Sequence, residues 1–323
     1  MAQSWVVLAA WLLLQTSAFA ELRINQIQFV GSHNSYKQAM SAPYRSLLGW
    51  VNEDAARALD YAHVPLHQQL DLGLRKLELD VFYRRQTEDF PVGHVQVIDM
   101  NSHCSPLATC LQELRSWSVR HPDHAPIWIS LNAKDQVIDW LPHPEPFDQD
   151  AFALLDRRIE AVLGDRLIRP KHVILVGQAN PIWPPLDQAR GKFLLILDES
   201  GAKRDLYLSG WRQRPMFVAM DSEHAAAAVW IVNDPMAEQS RIRQLVRRGF
   251  MVRTRADADT VEARNNDIRR RDAAFSSGAQ AVSTDYYLPT NTFGNDYRVW
   301  ITGGLRCNPI AAPASCDDKL IKR

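Results

Sequence analysis

The chain has 323 residues, of which 46% are hydrophobic and 23% are charged, and its 37 basic residues balance its 37 acidic residues. This composition is that of an ordinary globular protein with a sizeable core, in one large domain or two smaller ones. The charge balance argues against nucleic acid as a partner, because proteins that bind phosphate backbones usually carry a basic excess.

The first twenty residues have the pattern of a cleavable export signal. An apolar run extends from Trp5 to Leu14, and Ala18, Phe19 and Ala20 form a small-x-small cleavage site before Glu21. The run is shorter than the roughly 20 residues that span a bilayer, so a cleaved signal is favoured over an uncleaved anchor. We therefore expect residues 21–323 to form the mature protein, periplasmic or secreted, as a single domain.

Helices and strands alternate along the mature chain. A short apolar run over 27–30 comes first. Helices are predicted over 65–72, 106–120, 148–163, 235–248 and 260–277, and strands over 74–82, 126–132, 193–197, 216–220, 250–255 and 281–285. Ser105 is the expected cap of the second helix, and Gly73, Gly164, Gly249 and Gly278 are expected to end their helices.

This alternation predicts a parallel sheet, and about eight strands over roughly 300 residues fit a closed (β/α)8 TIM barrel. An open doubly wound sheet is the alternative, but no glycine-rich phosphate loop follows the first strand. Polar residues collect near the strand ends, at Glu78, Asp80, Asn132, Lys134, Asp198, Asp221, Arg255, Asp257 and Asp285. In a barrel these ends meet at one mouth, where active sites form.

Glu78 and Asp80 are two residues apart in a predicted strand, so they face the same side. Buried parallel carboxylates need a cation between them. A divalent metal fills that need, and Asn34 offers a further oxygen ligand; such a set suits calcium, or less well magnesium, rather than zinc. The alternative is a buried salt bridge with Arg75 or Lys76.

Two histidines are candidates for proton transfer. His33 ends the first apolar run, and His94 lies in the loop after the second strand, where it would reach the same mouth. One can accept a proton while the other donates one; the alternative for each is an ordinary loop histidine. Lys134 and Arg255 are candidates to hold a phosphate oxygen or to form salt bridges.

Two further histidine pairs have the spacing of metal ligands: His63 with His67, and His121 with His124. A proline lies between the members of each pair, so the two histidines are not presented on one face of a regular helix. The four cysteines lie in two local pairs, Cys104 with Cys110 and Cys307 with Cys316. In an exported protein this predicts two short-loop disulfides. A four-cysteine metal site is the alternative, but the spacings do not match zinc patterns.

Several motifs in this order resemble the phosphatidylinositol-specific phospholipase C superfamily, and most closely its calcium-dependent bacterial type. They are GSHNSY at 31–36, QLDLGLRKLELDV at 69–81, GH at 93–94, ISLNAK at 129–134, RTRADAD at 253–259 and STDYY at 283–287. The resemblance covers residues 26 to 290, nearly all of the mature chain.

The resemblance implies a (β/α)8 barrel that cleaves a phosphodiester. It implies that His33 and His94 are catalytic and that Asn34, Glu78 and Asp80 bind calcium. Asn132 stands where many relatives have an acidic ligand, and Lys134 matches a basic position near the phosphate.

The implied reaction begins with attack of an inositol 2-hydroxyl on the neighbouring phosphorus, aided by the metal and His33. His94 then protonates the departing diacylglycerol oxygen, which leaves a cyclic inositol phosphate. We expect a monomer that contacts a membrane surface transiently. Alternatives are a glycerophosphodiester phosphodiesterase, a sphingomyelinase-D-like enzyme, or a non-catalytic barrel that binds a ligand.

Overall fold

The computed structural model describes residues 21–321, so the expected export signal lies outside the described residues. Within them a barrel of parallel strands is formed by β1 (Ile27–Ser32), β2 (Lys76–Val81), β3 (Ile127–Ala133), β4 (Phe193–Leu197), β5 (Phe217–Met220), β6 (Val229–Ile231), β7 (Met251–Arg255) and β8 (Ala281–Thr284). Each strand pairs with the next, and β1 pairs with both β8 and β2, which closes the barrel. The predicted TIM barrel is confirmed, and the open sheet is wrong.

Helices surround the barrel. They are α1 (Ala42–Val51), α2 (Glu53–Ala58), α3 (Leu66–Leu72), α4 (Leu107–Arg120), α5 (Gln149–Leu163), α6 (Pro170–Val173), α7 (Leu186–Ala189), α8 (Gly201–Leu208), α9 (Gln239–Arg247), α10 (Val261–Arg264), α11 (Arg269–Ser277) and α12 (Asp318–Ile321). A last strand, β9 (Leu305–Cys307), pairs antiparallel with β1 outside the closed barrel. Among the described helices, none combines the length and apolarity needed to cross a bilayer.

The barrel closes at Gly31. A Cβ atom at this position would lie 2.2 Å from the Cβ atom of Lys76, on the paired strand. Only glycine therefore permits β1 and β2 to approach so closely. This contact places the GSHNSY segment directly beside the strand that carries Glu78 and Asp80.

Alternate residues of the strands face two different cores. Leu77, Leu79 and Val81 of β2 pack outward in a cluster that includes residues of α4 and α5. A second cluster fills the lower interior, and the strand residues that it contains are Ile27, Phe29, Trp128, Leu194, Ile196, Phe217, Ala219, Val229, Met251, Ala281 and Leu305. Because seven of the eight barrel strands contribute to the second cluster, it forms the floor beneath the mouth.

Several local predictions were wrong in detail. Strand β6 is only three residues long and was not predicted. The helix expected over 260–277 is two helices, α10 and α11, and the helix expected over 235–248 begins at Gln239. In the latter case the Asp234 carboxylate accepts hydrogen bonds from the backbone of Met236 and Ala237, which holds that stretch as a turn.

One capping prediction was also wrong. Ser105 does not cap α4; its hydroxyl accepts a hydrogen bond from the Val92 amide at 3.1 Å. Gly164 follows the last residue of α5, as expected, but it has a right-handed conformation and begins a short 3-10 turn. By contrast Gly73 has the expected left-handed conformation, with φ of 108°.

Both predicted disulfides are confirmed. The Cα atoms of Cys104 and Cys110 are 5.1 Å apart, and those of Cys307 and Cys316 are 6.1 Å apart. The first bridge closes the chain between the His94 loop and the first turn of α4. The second joins β9 to the segment that precedes α12.

Candidate active site

A row of polar side chains on β2 faces the barrel interior above the apolar floor. In this row Glu78 lies beside Ser130 of β3, and Asp80 lies beside Asn132. The Asn132 amide nitrogen donates to Asp80 at 2.8 Å and lies 3.4 Å from Glu78 Oε1. Lys134 Nζ lies 2.9 Å from Asp80 Oδ2. The barrel thus brings four of the predicted site residues into contact.

Glu78 is paired with two buried cations. Lys76 Nζ contacts Glu78 Oε2, and Arg253 Nη2 lies 2.9 Å from the same oxygen. The salt bridge with Lys76 that was the alternative interpretation is therefore present. Burial alone would raise the pKa of Glu78, but Lys76 and Arg253 hold it well below its ordinary value. Burial lowers the pKa of Lys76 to about 8, against the opposing charge of Glu78.

His33 lies at the end of β1 between two carboxylates. Its Nδ1 is 3.2 Å from Asp285 Oδ1, and its Nε2 is 3.7 Å from Glu78 Oε1. Burial lowers the pKa of His33, Arg255 lowers it further, and the two carboxylates oppose both effects. Donation from Nδ1–H to Asp285 assigns the lone pair of the neutral ring to Nε2.

Asp285 is the residue that orients His33, and it is held from several sides. Its backbone amide donates to Asp257 Oδ1 at 2.9 Å, and Arg255 Nη2 lies 4.0 Å from its Oδ2. The buried His63 places Nε2 3.5 Å from Asp285 Oδ1 and 2.7 Å from the His33 carbonyl oxygen.

Burial, followed by the charge of Asp285, raises the pKa of Asp257 to about 7. Burial opposes ionisation of Asp285, but His33 brings its pKa below the ordinary value.

Asn34 joins this group through Tyr61. It has a left-handed backbone, with φ of 43°, and its amide nitrogen donates to the Tyr61 hydroxyl at 2.8 Å. That hydroxyl is 3.3 Å from His33 Nδ1. In the described part of the chain, Asn34 has no direct side-chain hydrogen bond to Glu78 or Asp80.

His94 belongs to a neighbouring cluster. Its Nδ1 is 3.4 Å from Asp99 Oδ2, and Lys37 Nζ is 2.7 Å from Asp99 Oδ1. The Gly93 amide donates to the Asp80 carbonyl oxygen at 3.2 Å, so the His94 loop is attached to the end of β2. The ammonium of Lys37 lies 5.2 Å from the centre of the Tyr61 ring, which connects the two clusters. The described residues show no direct hydrogen bond between His94 and His33.

The donor atoms at the mouth decide whether the site suits a metal ion. Residues 21–321 contain no group of three or more histidine, cysteine or acidic side chains arranged to hold one. The mouth offers two carboxylates with the Asn132 amide beside them, and carboxylate and amide oxygens are hard donors. The Asn132 amide turns its nitrogen toward the carboxylates in this structure, whereas to bind a cation it would turn its oxygen toward the ion. In kind, this donor set fits calcium.

Sequence reasoning missed several members of the site. Asp285 was placed at a strand end without a role, although its position after β8 already directed it to the mouth. Arg253 has the same parity as Arg255, so its inward direction was also readable. His63 and Tyr61 come from the segment between α2 and α3, for which the sequence carries no signal. His67, the expected non-ligand, pairs instead with Glu113 at 2.7 Å.

Comparison with known proteins agrees with this geometry. The family model described as phosphoinositide phospholipase C, Ca2+-dependent, matches residues 22–91 and 84–309. No functionally curated protein matches the sequence.

Similar solved structures include a calcium-dependent phosphoinositol-specific phospholipase C from Pseudomonas sp, 16% identical, with a TM-score of 0.58 over 88% of this chain and 95% of that one. Another is the calcium-dependent phosphatidylinositol-specific phospholipase C from Streptomyces antibioticus, 18% identical, with a TM-score of 0.55 over 82% of this chain and 95% of that one. At this identity the two structures support the fold.

The resemblance stated from the motifs is confirmed, because the family model spans most of the chain. The predicted enzyme class is confirmed with it, since the members are phosphoric diester hydrolases. The chain belongs to the family of Ca2+-dependent phosphoinositide phospholipases C.

Proposed function

We propose that the protein cleaves the phosphodiester of a phosphoinositide into diacylglycerol and an inositol phosphate, cyclic in the first instance. The observation that carries the proposal is the contact chain Asp285–His33–Glu78 at the barrel mouth. It combines an oriented imidazole with a carboxylate in one water-poor site, which is what proton abstraction from a sugar hydroxyl requires.

His33 is the proposed general base. Its lowered pKa keeps the ring neutral near pH 7, and Asp285 holds the proton on Nδ1. Nε2 is then free to accept the proton of the inositol 2-hydroxyl as that oxygen attacks phosphorus. Asp285 stabilises the imidazolium that forms.

His94 is the proposed general acid. Asp99 Oδ2 lies 3.4 Å from its Nδ1, so the protonated ring would keep one N–H beside Asp99 and carry the other proton on Nε2. His94 donates this proton to the diacylglycerol oxygen as the bond from that oxygen to phosphorus breaks. Because its loop is attached to the end of β2, the acid and the base approach the phosphate from neighbouring sides of the mouth.

Calcium is the proposed metal, with Asn34, Glu78, Asp80 and the uncharged Asn132 as candidate ligands. When bound, the ion supplies positive charge next to the phosphate oxygens. Arg255, whose side chain is 16% exposed, is a candidate for binding the same phosphate. Lys134 is a weaker candidate, because its ammonium is already paired with Asp80.

The substrate is proposed to come from a membrane surface. An apolar groove of about 300 Å³ lies beside the His94 loop, and its lining residues are Tyr44, Leu47, Leu48, Val51, Ile98 and Trp140. Trp50, also on α1, is 86% exposed, and Trp140 is 61% exposed. Exposed aromatic and aliphatic side chains next to a lipid-cleaving site fit transient insertion into a bilayer interface.

The remaining proposals concern the whole protein. The two disulfides fit an exported chain, and we propose that cleavage before Glu21 releases a monomeric single domain.

The test is release of inositol phosphate from phosphatidylinositol vesicles by the purified mature protein, with calcium and with chelator. Calcium-dependent release is expected. Cleavage of only water-soluble glycerophosphodiesters would assign a glycerophosphodiesterase instead. Choline release from sphingomyelin would assign a sphingomyelinase-D-like enzyme. Failure to cleave any of these three substrates would favour a non-catalytic binding protein.

A further inference from the structure

Lys76 is an unusual neighbour for a metal site. Its side chain is fully buried, and its ammonium has three partners on three strands: Glu78 Oε2, the Ser32 carbonyl oxygen at 2.9 Å and Ser283 Oγ at 3.1 Å. Two of these partners are neutral and belong to the barrel wall. They hold the ammonium in place independently of Glu78, so the charge stays beside the site when Glu78 turns to another partner.

Cations already outnumber the two acids that they contact, and Asp198 is a further carboxylate within range of Lys76 and Arg253. Glu78 and Asp80 face Lys76, Arg253 and Lys134, so two carboxylates contact three cations. Lys134 is 30% exposed and can move into solvent, whereas Lys76 and Arg253 are 0% and 4% exposed. A divalent ion would therefore have to enter next to two cationic side chains that cannot move into solvent.

We infer that Lys76 is an internal counter-cation that weakens calcium binding at Glu78 and Asp80 while keeping the site formed without the metal. The inference rests on the proposed function, which places calcium at these carboxylates. Its physical basis is that Lys76 neutralises Glu78 and repels a divalent ion in a medium of low dielectric constant. The expected affinity lies in the range of about 10⁻⁴–10⁻³ M that extracellular calcium modules use.

The experiment measures calcium binding by calorimetry, together with the rise in melting temperature that calcium causes. Lys76→Met removes the charge and keeps most of the side-chain volume, so calcium should bind at least about tenfold more tightly. Lys76→Arg keeps the charge and should bind calcium about as weakly as the parent protein. Lys203→Met is the matched control, because Lys203 is an ion-paired lysine that contacts Asp135 and Glu199 instead.

Unchanged or weaker binding by Lys76→Met would overturn the inference. Should that variant not fold, the parent protein still decides, because a dissociation constant below about 10 µM would contradict a weakened site. A parent protein that cleaves phosphatidylinositol in chelator and binds no calcium, with Lys76→Met also not binding, would overturn the inference and leave the proposed cleavage standing. Tight calcium binding with calcium-dependent cleavage would overturn the inference and support the proposed function.

Discussion

The lower and upper halves of the barrel interior are built by the same strands and differ completely in chemistry. On β3 the lower position is Trp128 and the upper one is Asn132; on β7 the lower one is Met251, followed by Arg253. The lower half is an apolar floor, and the upper half holds acids, bases and their counter-charges.

This difference shows how one strand serves both stability and chemistry. The floor excludes water from beneath the mouth, so the ion pairs above it lie in a low-dielectric environment where each charge strongly affects its neighbours. Burial lowers the pKa of His33 and raises that of Asp257, whereas Lys76 and Arg253 lower the pKa of Glu78 against the effect of burial. Changes in the floor should therefore alter folding, and changes above it should alter turnover.

The largest effect is expected at His33. His33→Gln removes the proposed base and should lower kcat for phosphatidylinositol by about 10²–10⁴-fold, with an unchanged melting temperature. The control is His67→Gln on α3, whose ring is exposed and pairs with Glu113. A His33 variant with near-normal kcat would refute the catalytic assignment and the division between the two halves.

Leu194→Ala tests the floor. This side chain is 2% exposed in the lower interior, and its truncation should reduce the free energy of unfolding by about 2–5 kcal/mol. In the fraction that stays folded, kcat should remain close to normal. Leu175→Ala, at a 43% exposed leucine, is the control and should change stability by less than about 0.5 kcal/mol. Denaturant titration measures the free energy of unfolding of both variants. Equal losses would contradict a larger contribution of the apolar floor to stability.

Asp285→Asn tests orientation of the base. Loss of this charge should lower kcat by about 10–100-fold, because the His33 tautomer is no longer fixed. Asp285 raises the pKa of His33 and Arg255 lowers it. Since the base must be neutral, the acid limb of the pH–rate profile should move to lower pH in Asp285→Asn and to higher pH in Arg255→Gln. Shifts in the same direction would exclude His33 as the titrating group.

The smallest effect is expected at Trp50, on the helix that lines the apolar groove, outside both halves. Trp50→Ser should reduce turnover of phosphatidylinositol vesicles by about 3–10-fold, since it removes one exposed aromatic ring that is proposed to enter the membrane interface. Turnover of a soluble glycerophosphoinositol should not change. Val119→Ser, at a 55% exposed position of α4, is the control. Equal losses on both substrates would show that Trp50 supports the site and does not contact lipid.

The sequence alone determined the features that depend on local periodicity. Alternation of apolar residues identified most strands, and the two-residue spacing of Glu78 and Asp80 correctly placed both on one face. Neighbouring cysteines predicted both disulfides because short loops leave few other partners. These signals need no knowledge of distant contacts.

Tertiary structure decided which charges meet. Lys76 has the same parity as Glu78, so strand alternation already favours it over Arg75 as the partner. The contacts of the Lys76 ammonium with Ser32 and Ser283 depend on barrel closure, and Arg253 reaches Glu78 from 175 positions away in the chain. Tyr61 and His63 joined the site from a connecting segment with no periodic pattern, and β6 is too short to carry one. Local spacing fixes the direction of a side chain, whereas its partner depends on strand order and register, which only the closed barrel sets.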